Sequence, residues 1–347
     1  MILVTGGSGF LGGAIVRRLI ARGEAVRSLQ RQDSPALRDL GVDLVRADLS
    51  DGQAVTLAAR GCDAIIHVAA KTGVWGPYED YHRANVLGTH NVIAACLANG
   101  IRRLVHTSTP SVIHAGGDVE GVDESAPLAT RFETAYPATK AEAERRIIAA
   151  NGPDLGTVAL RPHLIWGPDD PQLTARILAR GAAGRLRLVG GGLKWIDSLF
   201  IDNAVDAHLL ALDRVAPGAR CAGKAYFITQ GEPMPQRELI NGILQAGGLP
   251  PCEKSITPQA AYAVGALMEI VWHALRRQDE PLMTRFVAKQ LGTAHWYDIS
   301  AAGRDLGYAP NITVAQGLQR LETSLRAAKP GATRNNDAYR LDESPGG

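Results

Sequence analysis

The chain has 347 residues, enough for one large domain or two, and its formal charge of +2 comes from 37 basic and 35 acidic side chains. Hydrophobic residues make up 46% and charged residues 21%, which are ordinary values for a globular protein. A charge this close to zero, with no basic run interleaved with aromatic residues, argues against nucleic-acid binding.

Neither the cysteines nor the histidines show a metal or redox motif. Cys62, Cys96, Cys221 and Cys252 form no CxxC pair, and the nine histidines show no HExxH spacing. We therefore expect buried thiols in a reducing compartment and no bound metal. The chain opens directly on an apolar, strand-like segment at residues 1–4, so we also expect no signal peptide and a cytoplasmic location.

The first half of the chain alternates between strand-like and helix-like segments. Short apolar strands are predicted at residues 2–4, 25–30, 42–46, 63–68, 103–107 and 157–161. Helices are predicted between them at residues 12–21, 52–59, 81–99 and 135–150. This alternation predicts βαβ units, whose right-handed crossovers place helices on both faces of a parallel sheet. The predicted fold class is therefore α/β, a Rossmann-type doubly wound parallel sheet.

After residue 165 the pattern changes. Loops rich in glycine and proline appear at residues 167–171 and 190–192, and strand-like segments recur at 198–201 and 225–229, the first leading into a helix that reaches residue 212. We expect residues 1–165 to form the cofactor-binding domain, with segments near 198–212 and 225–230 rejoining it. Residues 166–328 then form a smaller, interleaved C-terminal substrate-binding region, and the composition of residues 329–347 predicts a disordered tail.

Residues 260–275 form a notably apolar stretch. Glu269 and His273 interrupt it, and it is shorter than a membrane-spanning helix. Two interpretations stay open: a core or cap helix of the substrate-binding region, or a helix that lies on a membrane or on a partner protein.

A glycine-rich turn, TGGSGFLG, follows the first predicted strand at residues 5–12. Gly6, Gly9 and Gly12 allow a tight turn, the close approach of a pyrophosphate and close packing of the next helix. Backbone N–H groups at the start of that helix then meet the phosphates. The position of this turn at the first strand–helix junction predicts dinucleotide binding, with Phe10 and Leu11 in the same loop.

The end of the second predicted strand indicates which nicotinamide cofactor binds. Enzymes that use NAD usually place an acid there to hold the ribose hydroxyls, whereas this chain has Gln30 and Arg31. A guanidinium suits a 2′-phosphate, so Arg31 favours NADP, that is, NADPH as the reductant. The alternative is that Arg31 is a solvated loop residue and that Asp33 takes the acidic role.

Two further strand ends carry weaker cofactor signals. Asp48 and Leu49 follow the third strand, where an acid can cap the adenine amine. Ala69 follows the fourth strand, where a small side chain lets a cofactor lie flat. We include all three residues in the predicted cofactor site.

Tyr136 and Lys140 form a YxxxK sequence at the start of a predicted helix. The spacing puts both side chains on one helix face, where the lysine ammonium can stabilise tyrosinate and reach the nicotinamide ribose. Tyr136 then becomes a usable general acid for a carbonyl that is being reduced. A hydroxyl partner is expected at the end of the fifth strand, where Ser108 and Thr109 are both candidates.

These motifs resemble the extended short-chain dehydrogenase/reductase superfamily over nearly the whole chain, from residues 5–12 through 136–140 to 306–310. The segment LRPHLIWGP at 160–168 is similar to its 3β-hydroxysteroid dehydrogenase branch, and the resemblance implies that Pro162 contacts the cofactor. In the superfamily the active Ser or Thr lies three residues before a valine, and here Val112 selects Thr109. Asn85 matches the superfamily's structural and proton-relay asparagine.

A narrower similarity is to the reductases of bacterial long-chain olefin biosynthesis, in segments 70–78, 107–112, 221–228 and 291–297. This resemblance implies the NADPH-dependent reduction of a 2-alkyl-3-oxoalkanoate, a long-chain β-keto acid, to the 2-alkyl-3-hydroxyalkanoate. It also implies an assembly with other enzymes of that pathway. We expect a homodimer, and peripheral membrane contact stays open.

Two other functions stay open at this point. The first is an NAD(P)-dependent dehydrogenase of 3β-hydroxysteroids or sterol carboxylates on the same fold. The second is a non-catalytic dinucleotide sensor, although such proteins usually lose the Tyr136 and Lys140 pair. Lys71, just after the fourth strand, is a candidate for holding a substrate carboxylate, and its alternative is a surface lysine.

Overall fold

Strands of the central sheet and of three smaller sheets account for the β-structure. The computed structural model describes residues 1–328, so the tail predicted at 329–347 lies outside the described residues. In chain order the strands are β1 (Ile2–Thr5), β2 (Val26–Gln30), β3 (Asp43–Arg46), β4 (Ala64–His67), β5 (Arg103–Thr107), β6 (Val119–Val122), β7 (Gly156–Pro162), β8 (Ile165–Trp166), β9 (Leu188–Val189), β10 (Trp195–Ile196), β11 (Leu199–Phe200), β12 (Lys224–Ile228), β13 (Met234–Pro235), β14 (Ser255–Ile256) and β15 (His295–Tyr297).

Helices connect most of these strands. They are α1 (Phe10–Ala21), α2 (Pro35–Asp39), α3 (Gly52–Ala58), α4 (Tyr78–Tyr81), α5 (Gly88–Asn99), α6 (Ala135–Ala149), α7 (Leu173–Ala182), α8 (Ile201–Arg214), α9 (Gln236–Ala246), α10 (Pro258–Ala274), α11 (Arg285–Gly292), α12 (Ser300–Leu306) and α13 (Val314–Ala327). A π-helical segment (His82–Leu87) joins α4 to α5, and 3-10 turns span Pro110–Ile113 and Gly190–Gly192.

The central sheet has seven strands in the order β12-β7-β5-β4-β1-β2-β3, and every pairing is parallel. Apolar side chains of α1 and α8 pack on one face, and those of α3, α5 and α6 pack on the other. The predicted Rossmann-type doubly wound sheet is therefore confirmed. The direction of strand addition reverses between β1 and β4, and ligands of such sheets bind at the carboxyl ends of the strands beside that reversal.

The ends of the predicted strands in this sheet fall within one residue of the observed ones. Two later segments also join the core of the first half. β12 pairs with β7 at the edge of the sheet, and α8 packs against α1 through the ion pair of Arg18 with Asp206. The chain therefore returns to the central sheet after residue 165.

The single helix predicted over residues 81–99 is wrong in its interior. The helical run begins at Tyr78, and a π-helical turn interrupts it between His82 and Leu87 before α5 continues to Asn99. A π-turn widens the helix by one residue and is common at functional sites. Here it carries Asn85. The apolar periodicity of the sequence does not reveal one extra residue per turn, so the prediction had no signal to use.

The smaller sheets were not predicted. A four-stranded sheet has the order β13-β10-β15-β6, and two-stranded sheets pair β8 with β11 and β9 with β14. Most of their strands are only two residues long, and their partners lie far apart in the sequence. Segments this short carry no periodicity, so their pairing depends on tertiary contacts.

The apolar segment predicted at residues 260–275 forms α10, and it is not a core helix. Ala261 and Gly265 are its buried residues, and a Cβ added to Gly265 would lie 2.5 Å from the backbone of Thr284. Leu267 and Ile270 are 63% and 65% exposed. Small residues make the contact and the large apolar ones face away, so the core-helix interpretation is wrong, whereas a cap helix of the substrate-binding region agrees with this one-sided contact. Within residues 1–328, the helices all fall short of the length and apolarity needed to cross a membrane.

Candidate active site

The candidate site lies where the carboxyl ends of four adjacent strands meet. β7, β5, β4 and β1 are neighbours in the sheet and run in the same direction. The segments at and just beyond these four ends carry Pro162, Thr109, Ala69 and Gly6, respectively. Four of the predicted site positions are therefore brought to one edge of the sheet.

The glycine-rich turn leaves no space for side chains at two positions. Gly6 has a φ of +74°, and a Cβ added to it would lie 3.0 Å from Ala69. A Cβ added to Gly12 would lie 2.1 Å from the carbonyl oxygen of Gly6. Gly9 is the N-cap of α1 and offers no side-chain cap, so the first N–H groups of the helix stay available to a ligand. This cradle fits the pyrophosphate of a dinucleotide.

The other predicted cofactor residues near the glycine-rich turn differ in the exposure of their side chains. Phe10 is half-buried at the first position of α1, whereas Leu11 is 8% exposed and packs in the core. Leu49 is also 8% exposed and packs against Gly88 of α5, where an added Cβ would come within 2.9 Å of it. Leu11 and Leu49 therefore pack inside the protein and hold the neighbouring segments in place.

The guanidinium of Arg31 lies at the end of β2, and the nearby carboxylate of Asp33 is already paired with another arginine. Asp33 accepts hydrogen bonds of 2.7 and 2.8 Å from Nη2 of Arg38. Gln30 is 5% exposed and its amide is bonded to neighbouring residues. Arg31 is exposed and has no ion-pair partner among residues 1–328. This arrangement suits an anionic group better than a pair of hydroxyls.

Asp48 is held as a carboxylate at the end of β3. The Ser50 backbone N–H donates to its Oδ1 at 2.9 Å and the Ser50 hydroxyl donates at 2.8 Å. These hydrogen bonds hold the pKa of Asp48 below its usual value, and the charges of Arg83 and Arg31 act in the same direction. Asp48 is therefore ionised at neutral pH.

Thr109 and Tyr136 come together beyond the end of β5. Thr109 caps the 3-10 turn Pro110–Ile113, and its hydroxyl accepts from the Ser111 N–H at 3.3 Å. Burial raises the pKa of Tyr136, and the Thr109 hydroxyl beside the phenol acts in the opposite direction by favouring phenolate. A protonated tyrosine with a second hydroxyl next to it is suited to bind and protonate a carbonyl oxygen.

Ser108, the other hydroxyl candidate, belongs to a separate buried network. Its Oγ donates to Oε2 of Glu144 at 2.5 Å. Glu144 is also bound by Arg161, with Nη2 at 2.6 Å from Oε1 and Nε at 3.0 Å from Oε2. All three side chains are buried. The Ser108 hydroxyl is thus hydrogen-bonded to the buried ion pair of Glu144 and Arg161. Thr109 is therefore the hydroxyl beside Tyr136.

Lys140 lies one helical turn after Tyr136 and is 2% exposed. Its Nζ donates to the carbonyl oxygen of Thr107 at 2.6 Å and lies 3.3 Å from Nε2 of His106. Burial lowers the pKa of Lys140 to about 8, and the charge of Glu144 acts in the opposite direction. Lys140 is therefore mostly protonated at pH 7 and loses its charge as the pH rises through about 8.

Asn85 joins the π-helical segment to its neighbours. Its Oδ1 accepts from the Lys71 N–H at 2.7 Å, and its Nδ2 donates to the Lys71 carbonyl oxygen at 3.1 Å and to Thr139 Oγ1 at 3.0 Å. The ammonium of Lys71 is paired with Asp80 at 2.8 Å. A substrate carboxylate would have to compete with that ion pair.

Sequence reasoning missed a cavity whose wall includes Pro137, the residue after Tyr136. The cavity has a volume of about 140 Å3 and opens to solvent. Its polar lining comes from His114, Arg131, Glu133, Lys289 and Gln290. These residues lie on the loop after the 3-10 turn, on the loop before α6 and on α11. The only sequence signal was the closeness of residues 131–133 to the YxxxK motif, because nothing in the sequence places α11 beside it.

Residues 3–256 match the 3-beta hydroxysteroid dehydrogenase/isomerase family. The chain belongs to this family of oxidoreductases, so the resemblance predicted from its motifs is confirmed. The match includes the glycine-rich turn, Thr109, the YxxxK pair and Pro162.

More similar relatives cover almost the whole chain. The 2-alkyl-3-oxoalkanoate reductase of Stenotrophomonas maltophilia is 53% identical over 328 residues, which cover 94% of this chain and 99% of that protein. The 2-alkyl-3-oxoalkanoate reductase of Shewanella oneidensis is 48% identical over 330 residues, covering 93% and 85%. Among solved structures, the UDP-glucose 4-epimerase of Thermus thermophilus in complex with NAD has a TM-score of 0.70 at 25% identity and covers 94% and 99%.

Proposed function

We propose that the protein is an NADPH-dependent reductase that converts a 2-alkyl-3-oxoalkanoate to the 2-alkyl-3-hydroxyalkanoate. The observation that carries the proposal is the 53% identity to a reductase of that name across 99% of its length. The site chemistry agrees with it, because Tyr136 and Thr109 are placed together and Lys140 lies one turn away on α6. A non-catalytic dinucleotide sensor would have no need of these three groups.

The proposed reaction divides the work among three side chains. Thr109 donates a hydrogen bond to the keto oxygen, and this bond strengthens as negative charge develops there. Tyr136 gives its proton to the same oxygen, since its raised pKa keeps the phenol protonated at neutral pH. Lys140 favours the resulting phenolate through its positive charge. A bound nicotinamide cofactor supplies the hydride for the carbonyl carbon.

The proposed cofactor is NADP rather than NAD. The turn at Gly6, Gly9 and Gly12 fits a pyrophosphate, which both cofactors carry, so the choice depends on the end of β2. Arg31 is available there and Asp33 is paired with Arg38. A 2′-phosphate would gain a charged partner, whereas free ribose hydroxyls would find no available carboxylate at this strand end.

The proposed division of labour follows the fold. We assign cofactor binding to residues 1–165 together with the returning segments near 198–212 and 225–230, and substrate binding to residues 166–328. The free cysteines of the chain support a reducing, cytoplasmic location.

The proposed partners go beyond the substrate. α10 leaves Leu267 and Ile270 well exposed, as is Leu275 directly after it, and an exposed apolar helix face is typical of a binding surface. We assign this face to protein contact, either in a homodimer or in an assembly with other enzymes of the pathway. Peripheral membrane contact is the competing assignment.

The test is NADPH consumption on a synthetic long-chain 2-alkyl-3-oxo acid, with NADH measured in parallel. We expect turnover that is selective for NADPH, and we expect Tyr136→Phe to lose nearly all of it while still binding NADPH. No turnover with either cofactor, together with NAD-dependent oxidation of a 3β-hydroxysteroid, would replace this substrate with the steroid alternative and leave the fold unaffected.

A further inference from the structure

Lys140 is a buried ammonium whose hydrogen-bond partners carry no negative charge. Its Nζ donates to the carbonyl oxygen of Thr107 at 2.6 Å and lies 3.3 Å from Nε2 of His106. Taking a positive charge out of water is costly unless a negative charge lies close to it. The proposed reaction needs this charge, because it favours the phenolate that Tyr136 becomes. A counter-charge for Lys140 is therefore expected inside the protein.

The groups that face Lys140 from the neighbouring strands and helices do not supply that charge. On β5 and β4, burial lowers the pKa of His106 well below its usual value and the pKa of His67 to about 3, so both imidazoles are neutral. On α8, burial lowers the pKa of His208 to about 4. On α6, burial raises the pKa of Tyr136, which keeps the phenol protonated at neutral pH.

Glu144 lies one helical turn after Lys140 on the buried face of α6 and is 2% exposed. Both of its carboxylate oxygens are held in place. Oε1 accepts from Nη2 of Arg161 at 2.6 Å, and Oε2 accepts from Nε of Arg161 at 3.0 Å and from the Ser108 hydroxyl at 2.5 Å. Burial lowers the pKa of Lys140 to about 8, and within residues 1–328 Glu144 is the one charged group that acts to raise it.

Arg161 on β7 competes with Lys140 for this carboxylate. Its guanidinium grips Glu144 with two donors and lies over the ring of Phe227, with 5.1 Å from Cζ to the ring centroid. The buried cluster of Lys140, Glu144 and Arg161 thus contains two positive charges and one negative charge. Because two cations share one carboxylate, removing Glu144 and removing Arg161 are expected to move the protonation of Lys140 in opposite directions.

We propose, on the basis of the proposed function, that Glu144 is a positioning residue for the reduction: its carboxylate, fixed by Arg161 and Ser108, is the counter-charge that keeps the ammonium of Lys140 present beside Tyr136. The competing interpretation is that Glu144 and Arg161 form a purely structural ion pair. The two roles differ in one measurable respect. A structural pair affects stability and lowers kcat alike at every pH, whereas a counter-charge sets the pH at which kcat is lost.

The experiment measures kcat against pH with NADPH and the 2-alkyl-3-oxo acid. Glu144→Gln removes the negative charge, so the fall of kcat is expected to move to lower pH by about one unit, while kcat at about pH 6 stays within about threefold of the wild-type value. Arg161→Met leaves Lys140 as the counter-ion of Glu144, so the fall is expected to move to higher pH. Ser108→Ala is the matched control, because it removes one hydrogen bond from Glu144 and leaves every charge in place. Its midpoint is expected to match that of the wild-type protein.

A further variant keeps the test decisive if Glu144→Gln does not fold with Arg161 unpaired. Glu144→Gln combined with Arg161→Met removes both charges of the pair. Its midpoint is again expected at lower pH, because Glu144 acts on Lys140 more strongly than Arg161 does. Thermal unfolding and NADPH binding of each variant show that the protein is folded.

The outcomes separate this role from the proposed function. Wild-type turnover with a midpoint that neither Glu144→Gln nor the double variant moves overturns the counter-charge role alone. A loss of kcat that is equal at every pH, or a shift of the same sign in Glu144→Gln and Arg161→Met, also overturns it and leaves a structural ion pair. No wild-type turnover of the keto acid overturns the proposed function and this role with it.

Discussion

The Nζ atom of Lys140 lies 3.3 Å from Nε2 of His106, and both side chains are buried between α6 and the central sheet. Burial lowers the pKa of His106 well below its usual value, so its imidazole is neutral. Its Nε2 then accepts a hydrogen bond from the ammonium, and its Nδ1, which has no partner in residues 1–328, carries the proton. An acceptor favours the charged form of a lysine. His106 therefore helps Lys140 to stay protonated.

The pH dependence of the reduction is expected to report Lys140. Its pKa is lowered to about 8, so the ammonium is present below that pH and is lost as the pH rises through it. kcat is therefore expected to fall above about pH 8. His106→Phe removes the neutral acceptor, which lowers the pKa of Lys140 further and moves this fall to lower pH by about one unit. Glu144, His67 and His208 are unchanged in this variant.

His106→Gln is the matched control, because a glutamine oxygen can still accept from Nζ. It is expected to keep the midpoint of the fall near that of the wild-type protein. If the profiles of His106→Phe and the wild-type protein overlay, His106 has no influence on the ammonium.

The two neighbouring hydroxyls are expected to fail in different ways. Thr109→Val keeps the side-chain shape and removes the oxygen beside Tyr136, so kcat is expected to fall about 100-fold with little change in the thermal midpoint. Ser108→Ala leaves Glu144 short of one hydrogen bond, which is expected to lower the free energy of unfolding by about 1–3 kcal/mol. Its kcat is expected to change only a few-fold. A larger loss of kcat in Ser108→Ala than in Thr109→Val would exchange their roles.

The sequence predictions were accurate where local patterns determine the structure and failed where contacts between distant parts of the chain determine it. Short apolar strands bounded by glycine gave the central sheet, because local pattern and burial agree there. The choice between Ser108 and Thr109 could not come from the residues alone, since Glu144 and Arg161 are distant in sequence from Ser108. The π-turn around Asn85 adds one residue without altering the apolar pattern.

The cavity depends on α11 reaching the loop before α6, a contact made between Lys289 and Glu133. That contact joins residues more than 150 positions apart, and no motif marks either of them. The exposure of α10 could not be predicted either, because an apolar segment has the same composition whether it is buried in the core or exposed on the surface. In both cases tertiary placement, which the sequence pattern does not encode locally, decides the outcome.

Arg31 is expected to set the cofactor preference. Arg31→Gln removes the guanidinium at the end of β2, so KM for NADPH is expected to rise about 10- to 100-fold while KM for NADH stays unchanged. Arg38→Gln is the control, since Arg38 is a nearby exposed arginine paired with Asp33. It is expected to leave the KM for NADPH within about threefold of the wild-type value. Steady-state rates with both cofactors check this, and an equal rise for NADPH and NADH would refute a specific contact with the 2′-phosphate.

Stability is expected to fall steeply in mild acid. Burial lowers the pKa of His67 to about 3, of His163 and His208 to about 4, and of His295 to about 2. Between about pH 6 and pH 4 the unfolded chain binds protons at these sites and the folded chain does not. Each such histidine therefore lowers the free energy of unfolding by about 1.4 kcal/mol per pH unit as the pH falls.

Urea unfolding at a series of pH values measures this slope. His208→Gln is expected to be less stable at pH 7, because it loses the bond of Nε2 to Thr107 Oγ1, and to show a slope that is smaller by about one proton. His90→Gln, at an exposed position, is expected to keep the full slope. Stability that stays constant from pH 7 to pH 5 would mean that these imidazoles are protonated in the folded protein.

The exposed face of α10 is expected to hold an assembly together. Leu267 and Ile270 are more exposed than most surface residues of their type and stand three positions apart, so they share one side of the helix. Replacing both by glutamate puts two charges on that side without touching the buried contact at Ala261 and Gly265. The molecular mass in sedimentation is expected to drop to that of the monomer, with an unchanged thermal midpoint and unchanged kcat per chain. Leu97→Glu, at an exposed leucine of α5, is expected to leave the mass as it was.

If the wild-type protein is already a monomer in isolation, binding to anionic lipid vesicles is measured next. Binding that the double variant abolishes would assign the face to a membrane and refute the proposed protein contact.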